Sequence, residues 1–188
     1  YLFQTEIKRG TPFKEIRGLL EFRLEENVPL SPRDAFFDYD LIEGVTKGDT
    51  LLVSVTAYAK ETVMKYYQAC TEAKVLPVSF EVEAQAIARA TTPRADAQTY
   101  MIVDFGRTRM GVGIVNRGVL MYTSTIDIGG ADLSKSLRDV LGDKPESELT
   151  EIKNTQGLVS GIEDAVVAKA LATTMDAISA ELKTRIEY

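Results

Sequence analysis

The stretch from Tyr100 to Gly130, "YMIVDFGRTRMGVGIVNRGVLMYTSTIDIGG", constrains the fold more than any other part of the chain. With Thr99 it reads as three apolar, β-rich strands in succession: "TYMIVD", "MGVGIVN" and "GVLMYTSTID". Asn116, Arg117 and Gly118 supply a hairpin turn between the last two, and a tight turn carrying Asp104, Gly106 and Thr108 joins the first two. Gly129 and Gly130 then end the sheet portion, and Asp132 can cap a helix bearing Leu133, Leu137, Val140 and Leu141.

The Asp104 turn has two readings. Gly106 lets the backbone approach a ligand closely, Thr108 offers a hydroxyl, and turn amides can hold phosphate oxygens. Asp104, at the strand end, can order water around a nucleotide-bound Mg²⁺, a cation that keeps several waters. The same letters are ordinary turn chemistry, so the residues alone leave a hairpin and a phosphate loop both open. The string "DFG" also occurs in the magnesium loop of protein kinases. No glycine-rich loop with a following strand lysine precedes it, and a His-Arg-Asp loop is impossible in a chain without histidine.

Composition removes further classes. The 188 residues, 45% hydrophobic and 27% charged, suffice for one domain or two small lobes. With 28 acidic against 22 basic residues and a net charge of -6, nucleic acid and anionic lipid are disfavoured as partners. Cys70 is the single cysteine, which excludes an internal disulfide; without histidine, zinc sites and Ser-His-Asp or Cys-His catalysis fall as well. No run reaches the roughly 20 apolar residues of a spanning helix and no signal peptide opens the chain, so the expected location is cytoplasmic.

Upstream, "YLFQTEIKR" alternates as a strand with no visible partner before it. Thr11 can cap and Pro12 can open a helix with Phe13, Ile16, Leu20 and Leu24 on one face, stopping near "NVPLSP". "AFFDYDLI" and "TLLVSVTAYA" read as an antiparallel pair joined by "EGVTKGD". A helix over 60–74 follows, with Val63, Tyr66, Tyr67, Cys70 and Ala73 as its core face. "LPVSFEVE" alternates Val78, Phe80 and Val82 as a further strand; "EAQAIARAT" is helical and "TPRADAQ" is the linker. Toward the C-terminus Pro145, Glu146 and Glu148 open a helix that Gly157 closes, and Ile162, Val166, Leu171, Met175, Ile178, Leu182 and Ile186 mark one face of a long helix. The acidic pairs Glu25/Glu26 and Asp38/Asp40 read as solvated charges. Phe36, Phe37, Tyr39 and Leu41 read as core, although "AFFDYDLI" is apolar on both faces and can meet a partner surface or another part of the protein.

The order from "IVDFGRTRMGVGIVN" through "STIDIGGADLSKSL" resembles the second phosphate loop and following sheet of actin-like ATPases. "EIRGLLEFRLEENVPLSPRDAFFDYDLI", "TLLVSVTAYAKETVMKYYQACTEAKVLPVSFEVEAQAIARA" and "ATTMDAISAELKTRIEY" are similar to successive segments of the type IV pilus assembly protein PilM family, related to FtsA. The resemblance implies an α/β chain of α+β subdomains, a partial actin-like (ribonuclease H-like) fold with an FtsA/PilM-type inserted subdomain. Residues 1–94 would hold the end of the first actin-like subdomain, the insertion over about 12–80 and a linking helix. Residues 97–188 would be part of the second lobe with its long C-terminal helix.

It implies Asp104, Gly106, Arg107 and Thr108 as second phosphate loop residues, with Asp104 reaching Mg²⁺ through water. Arg107 and Arg109 stand where the family favours hydroxyl or acidic residues. They can grip phosphate, or serve as solvated or ion-paired turn residues. A first phosphate loop and an adenosine segment are not in the sequence, so the chain reads as an internal fragment or a reduced relative. ATP and Mg²⁺ are candidate cofactors of the full-length protein, and none is expected in this chain alone. The resemblance implies a scaffold, with no catalytic residue in this chain. It would dock the cytoplasmic tail peptide of an inner-membrane pilus assembly protein, lie peripheral to that membrane through such partners, and be able to self-associate. The alternatives are an FtsA-like ATPase or filament former, and a nucleotide-free platform protein of type II secretion.

Overall fold

The computed structural model describes residues 1–42, 44, 46, 48–93, 96–156 and 165–186. Its elements run β1 (Leu2–Lys8), α1 (Phe13–Asn27), β2 (Ala35–Ile42), β3 (Thr50–Ala59), α2 (Lys60–Glu72), α3 (Glu83–Thr91), β4 (Thr99–Phe105), β5 (Met110–Asn116), β6 (Val119–Ile126), α4 (Gly130–Leu141), α5 (Glu146–Thr155) and α6 (Ala165–Ile186). The chain divides into two compact units, 1–102 with 112–123, and 103–111 with 124–188.

In the first unit β1, β3 and β2 form a sheet in that order, both pairs antiparallel. The opening strand thus finds its partner downstream, with Phe3 opposite Val55 and Ile7 opposite Leu51. Alternation in β2 and β3 turns Ala35, Phe37, Val53, Val55 and Ala57 to one face, where Ile16, Leu20 and Leu24 of α1 close the core. Leu20 and Leu24 are fully buried; a leucine so removed from water contributes about 1.5–3 kcal/mol. Two expectations for α1 fail. Thr11 does not cap it, because its Oγ1 donates to Lys8 C=O at 2.6 Å, and Phe13 lies 76% exposed beyond the edge of the core face. The helix instead ends against Val28, whose N–H donates to Leu24 C=O.

Helix α2 forms where expected but buries none of its residues; Tyr66 and Tyr67 are exposed, and Cys70 is half-buried rather than a core thiol. "LPVSFEVE" is not a strand. Residues 75–82 belong to no ladder among the described residues, and Val78 is 95% exposed, so the period-2 pattern is not matched by strand pairing. A second small core joins Ala84 and Ala88 of α3 to Val115 and Leu120, with Leu2, Val82 and Ile102 packed around them.

The second sheet has the order β4-β5-β6, as the strand run around the two turns implies. Arg117 and Gly118 both adopt positive φ, +51° and +78°, the requirement of a two-residue type I′ hairpin. The central strand β5 is the most buried, with Met110, Val112 and Val115 inaccessible to solvent. In the second unit α4, α5 and α6 share a core of Leu137, Leu149, Val167 and Leu171. The buried face of α6 runs through Val167, Leu171 and Ile178; Val166 and Ile186 are exposed, correcting the expected stripe by one position at its start. Gly157 and Ile162 lie outside the described residues.

Candidate functional site

The Asp104 turn lies wholly in the second unit and is held from two sides. Across the turn, Gly106 N–H donates to Arg109 C=O at 3.0 Å. From the following sheet-to-helix junction, Gly130 N–H donates to Gly106 C=O at 3.0 Å and Ala131 N–H to Arg107 C=O at 2.7 Å. The first amides of α4, orphans in an isolated helix, are therefore spent on the carbonyls of the turn. Asp132 completes the start of α4: its N–H donates to Gly129 C=O at 3.0 Å and its Oδ2 accepts from Gly129 N–H at 2.8 Å. Asp132 thus contributes to the cap from the third position of the helix, while Gly129 rather than Asp132 is the capping residue.

Glycine is required here by closeness. A Cβ on Gly129 would stand 2.6 Å from Arg107 O and 2.7 Å from Gly106 O, and one on Gly106 would stand 2.7 Å from Arg109 O. Asp104 lies at the end of β4 across from Gly111, where a Cβ would be 3.7 Å from its own. Arg107, Thr108 and Arg109 are exposed, and neither arginine is ion-paired among the described residues.

Beside the turn is a cavity of about 360 Å³ lined by Phe105, Gly106, Arg107, Gly130, Glu146, Thr150 and Lys153. Its floor is a polar cluster that no short motif revealed. Lys153 Nζ, 18% exposed as a side chain, donates to Ser134 Oγ at 2.7 Å and Gly130 C=O at 3.2 Å, and lies 3.5 Å from Glu146 Oε1. Ser134 Oγ donates to Glu146 Oε1 at 2.6 Å, and Arg138 donates to Glu146 Oε2 at 2.7 Å. The Ser134 and Arg138 hydrogen bonds, helped by the Lys153 charge, hold the Glu146 carboxyl down at about 2. The signal was present only as helix register: Ser134 and Arg138 are one turn apart on α4, and Glu146 and Lys153 two turns apart on α5.

The arrangement brings Gly106, Arg107 and Lys153 around one cavity, and among the described residues the Arg107 and Thr108 N–H groups have no backbone acceptor. Such amides and cations fit a phosphate group. Thr108 and Asp104 do not line the cavity. Among the described residues no group of three or more carboxylate, thiol or imidazole side chains could hold a metal directly.

The order of strands, the turn and the glycine-linked helix define an actin-like fold, shared with two solved structures. One, titled "PilM-PilN type IV pilus biogenesis complex", aligns over 100% of this chain and 54% of its own with a TM-score of 0.70 and 18% identity. The other, the ethanolamine utilization protein EutJ from Carboxydothermus hydrogenoformans, aligns over 64% of this chain and 41% of its own with a TM-score of 0.51 and 21% identity. The chain spans about half the length of these proteins. The profile of the family described as type IV pilus assembly protein PilM matches residues 12–185, and the chain belongs to that family. No curated protein sequence matches it. No helix among the described residues is long and apolar enough to cross a membrane.

Proposed function

We propose that the chain is the docking part of a cytoplasmic pilus-assembly scaffold that holds a short tail of an inner-membrane partner and is kept at the membrane by it. The observation that carries this reading is the likeness, over the whole chain, to a protein solved in a pilus biogenesis complex with PilN. An open groove of about 620 Å³ in the first unit supports it, lined by Phe13, Lys14, Arg17, Asp38, Tyr39, Asp40 and Leu41, a mixture of aromatic and charged groups suited to a short peptide. The chain immobilised on resin should retain one among a set of cytoplasmic tail peptides from inner-membrane pilus proteins. If the intact protein retains none, the docking reading fails.

The second unit supports a nucleotide role in the whole protein. There Gly106, Arg107, the hydroxyl of Thr108 and Lys153 would hold the phosphates of ATP, and Asp104 would order water on its Mg²⁺. ATP would supply binding energy that sets the scaffold's conformation. The test is titration of the full-length protein with an ATP analogue and Mg²⁺: Asp104→Ala should abolish binding, and equal titration of wild type and variant refutes the phosphate role.

A further inference from the structure

The first sheet is protected along one margin and open along the other. On the β1 side, Gln4 Nε2 donates to Met121 C=O at 2.8 Å and Leu2 packs into the Ala84, Val115 and Leu120 cluster. On the β2 side, the strand pairs with β3 alone among the described residues. Which of its backbone groups are free follows from three hydrogen bonds. Ala57 N–H donates to Tyr1 C=O and Lys60 N–H to Asp34 C=O, so odd residues of β3 bond toward β1 and even ones toward β2. Tyr39 N–H, opposite Val55, donates instead to its neighbour's Asp38 Oδ1 at 2.9 Å. Phe37, Tyr39 and Leu41 therefore turn their N–H and C=O groups outward.

The side chains beside that edge differ by face. On the α1 face lie Tyr39 and Leu41 with Phe13, whose ring centroid is 6.5 Å from that of Tyr39, while Arg17 covers the Phe37 ring at 4.5 Å. On the other face Asp38 and Asp40 project two residues apart, and neither forms an ion pair among the described residues. Burial and the Asp38 charge raise the Asp40 carboxyl above its ordinary range, as expected of an acid lacking a cation.

We propose that the free edge of β2 receives an extended segment of a partner protein as an added strand, its apolar side chains laid on Phe13 and Tyr39 and its basic side chains facing Asp38 and Asp40. The inference rests on the docking reading above and supplies its binding mode and the chemistry of the tail. Main-chain bonds to the N–H and C=O groups of Phe37 and Leu41 and to the C=O of Tyr39, whose N–H is held by Asp38 Oδ1, give affinity, and the alternating pattern gives register. A second copy of this chain is a poor occupant. Antiparallel β2–β2 pairing centred on Tyr39 sets Asp38 opposite Asp40 of the other copy, and like charges directly opposed destabilise a sheet.

The test uses a fluorescent peptide alternating lysine and valine, about eight residues long, enough to span the edge. Its anisotropy should rise on titration with the chain, and a glutamate/valine peptide should not bind. Asp38→Asn with Asp40→Asn should weaken binding about tenfold, the scale of losing two cross-strand ion pairs. Leu41→Pro removes an outward N–H while sparing the ladder to β3 and should abolish binding, with the circular dichroism melt confirming that it folds. As a check independent of any variant, N-methylating the peptide amides on one edge should also abolish binding. Binding of the lysine/valine peptide that is absent, or equal in wild type and both variants, overturns the strand-addition mode. Tail peptides retained equally by wild type and Leu41→Pro also overturn it while leaving the docking reading standing. Edge-sensitive binding of the lysine/valine peptide with no tail retained upholds it while the docking reading falls.

Discussion

Gly129 and Gly130 are adjacent and should respond oppositely to alanine. At Gly129 the φ of -153° is extended backbone open to any residue, so the effect of a Cβ is steric. It would sit 2.6 Å from Arg107 O, 2.7 Å from Arg107 C and 2.7 Å from Gly106 O, all backbone atoms that cannot swing aside. Restoring ordinary contact needs a separation of about 0.8 Å between the turn and the start of α4. That movement breaks or badly stretches the bonds from Gly130 N–H to Gly106 O and Ala131 N–H to Arg107 O. At about 1 kcal/mol net for each bond, plus residual strain, Gly129→Ala should destabilise by about 2–3 kcal/mol. At Gly130 the nearest atom to a Cβ is 3.8 Å away and the residue is helical, so Gly130→Ala should be neutral or stabilising by up to about 1 kcal/mol. Urea unfolding of the three proteins, followed by circular dichroism, measures both. A Gly129→Ala midpoint matching wild type, or Gly130→Ala as damaging as Gly129→Ala, refutes the packing of the helix start onto the turn.

The Glu146 carboxyl, held at about 2 against an ordinary 4.5, contributes stability that is fully present above about pH 4.5 and is lost as pH falls through 2. The difference in urea midpoint between wild type and Glu146→Gln should accordingly be largest at neutral pH and shrink in acid; a difference that stays constant with pH excludes the carboxylate network. Arg117 holds φ +51° in the hairpin, and Arg117→Asn, giving the preferred Asn-Gly pair, should raise stability by about 0.5–1 kcal/mol in thermal melts, whereas a loss would mean that the arginine side chain stabilises the turn. Val78→Lys should change stability by less than about 0.5 kcal/mol, and a loss above 1 kcal/mol would show the 75–82 segment to be packed.

What could be read from the residues was local. Three strands around two short turns leave few arrangements, so β4, β5 and β6 and the hairpin between the last two followed from Asn116–Gly118 and the apolar runs. Period-2 alternation in "LPVSFEVE" is equally clear and misled, because alternation states only that one face of a strand would be apolar and not that its backbone is brought alongside a neighbouring strand. The helical spacing of Val63, Tyr66, Tyr67 and Cys70 misled for the same reason: an amphipathic face needs something to cover it, and α2 buries nothing.

The candidate site divides along the same line. Asp104, Gly106 and Thr108 were visible because a turn's chemistry lies in consecutive residues. Lys153, Glu146 and Ser134 were not, because their meeting depends on how α5 lies on α4, which spacing along either helix does not state. Their meeting also changes what the turn can do. With Gly130 and Ala131 amides already donating to the Gly106 and Arg107 carbonyls, the start of α4 has no free first amides to offer an anion. A phosphate at this turn must therefore be held by the amides of the turn itself and by the Arg107 and Lys153 cations. Lys153 already donates to Ser134 and Gly130 and lies beside Glu146, so a bound phosphate has to compete with that cluster. Neutralising Glu146 would leave Lys153 freer to meet the phosphate, so any phosphate affinity at this cavity should rise in Glu146→Gln while stability falls.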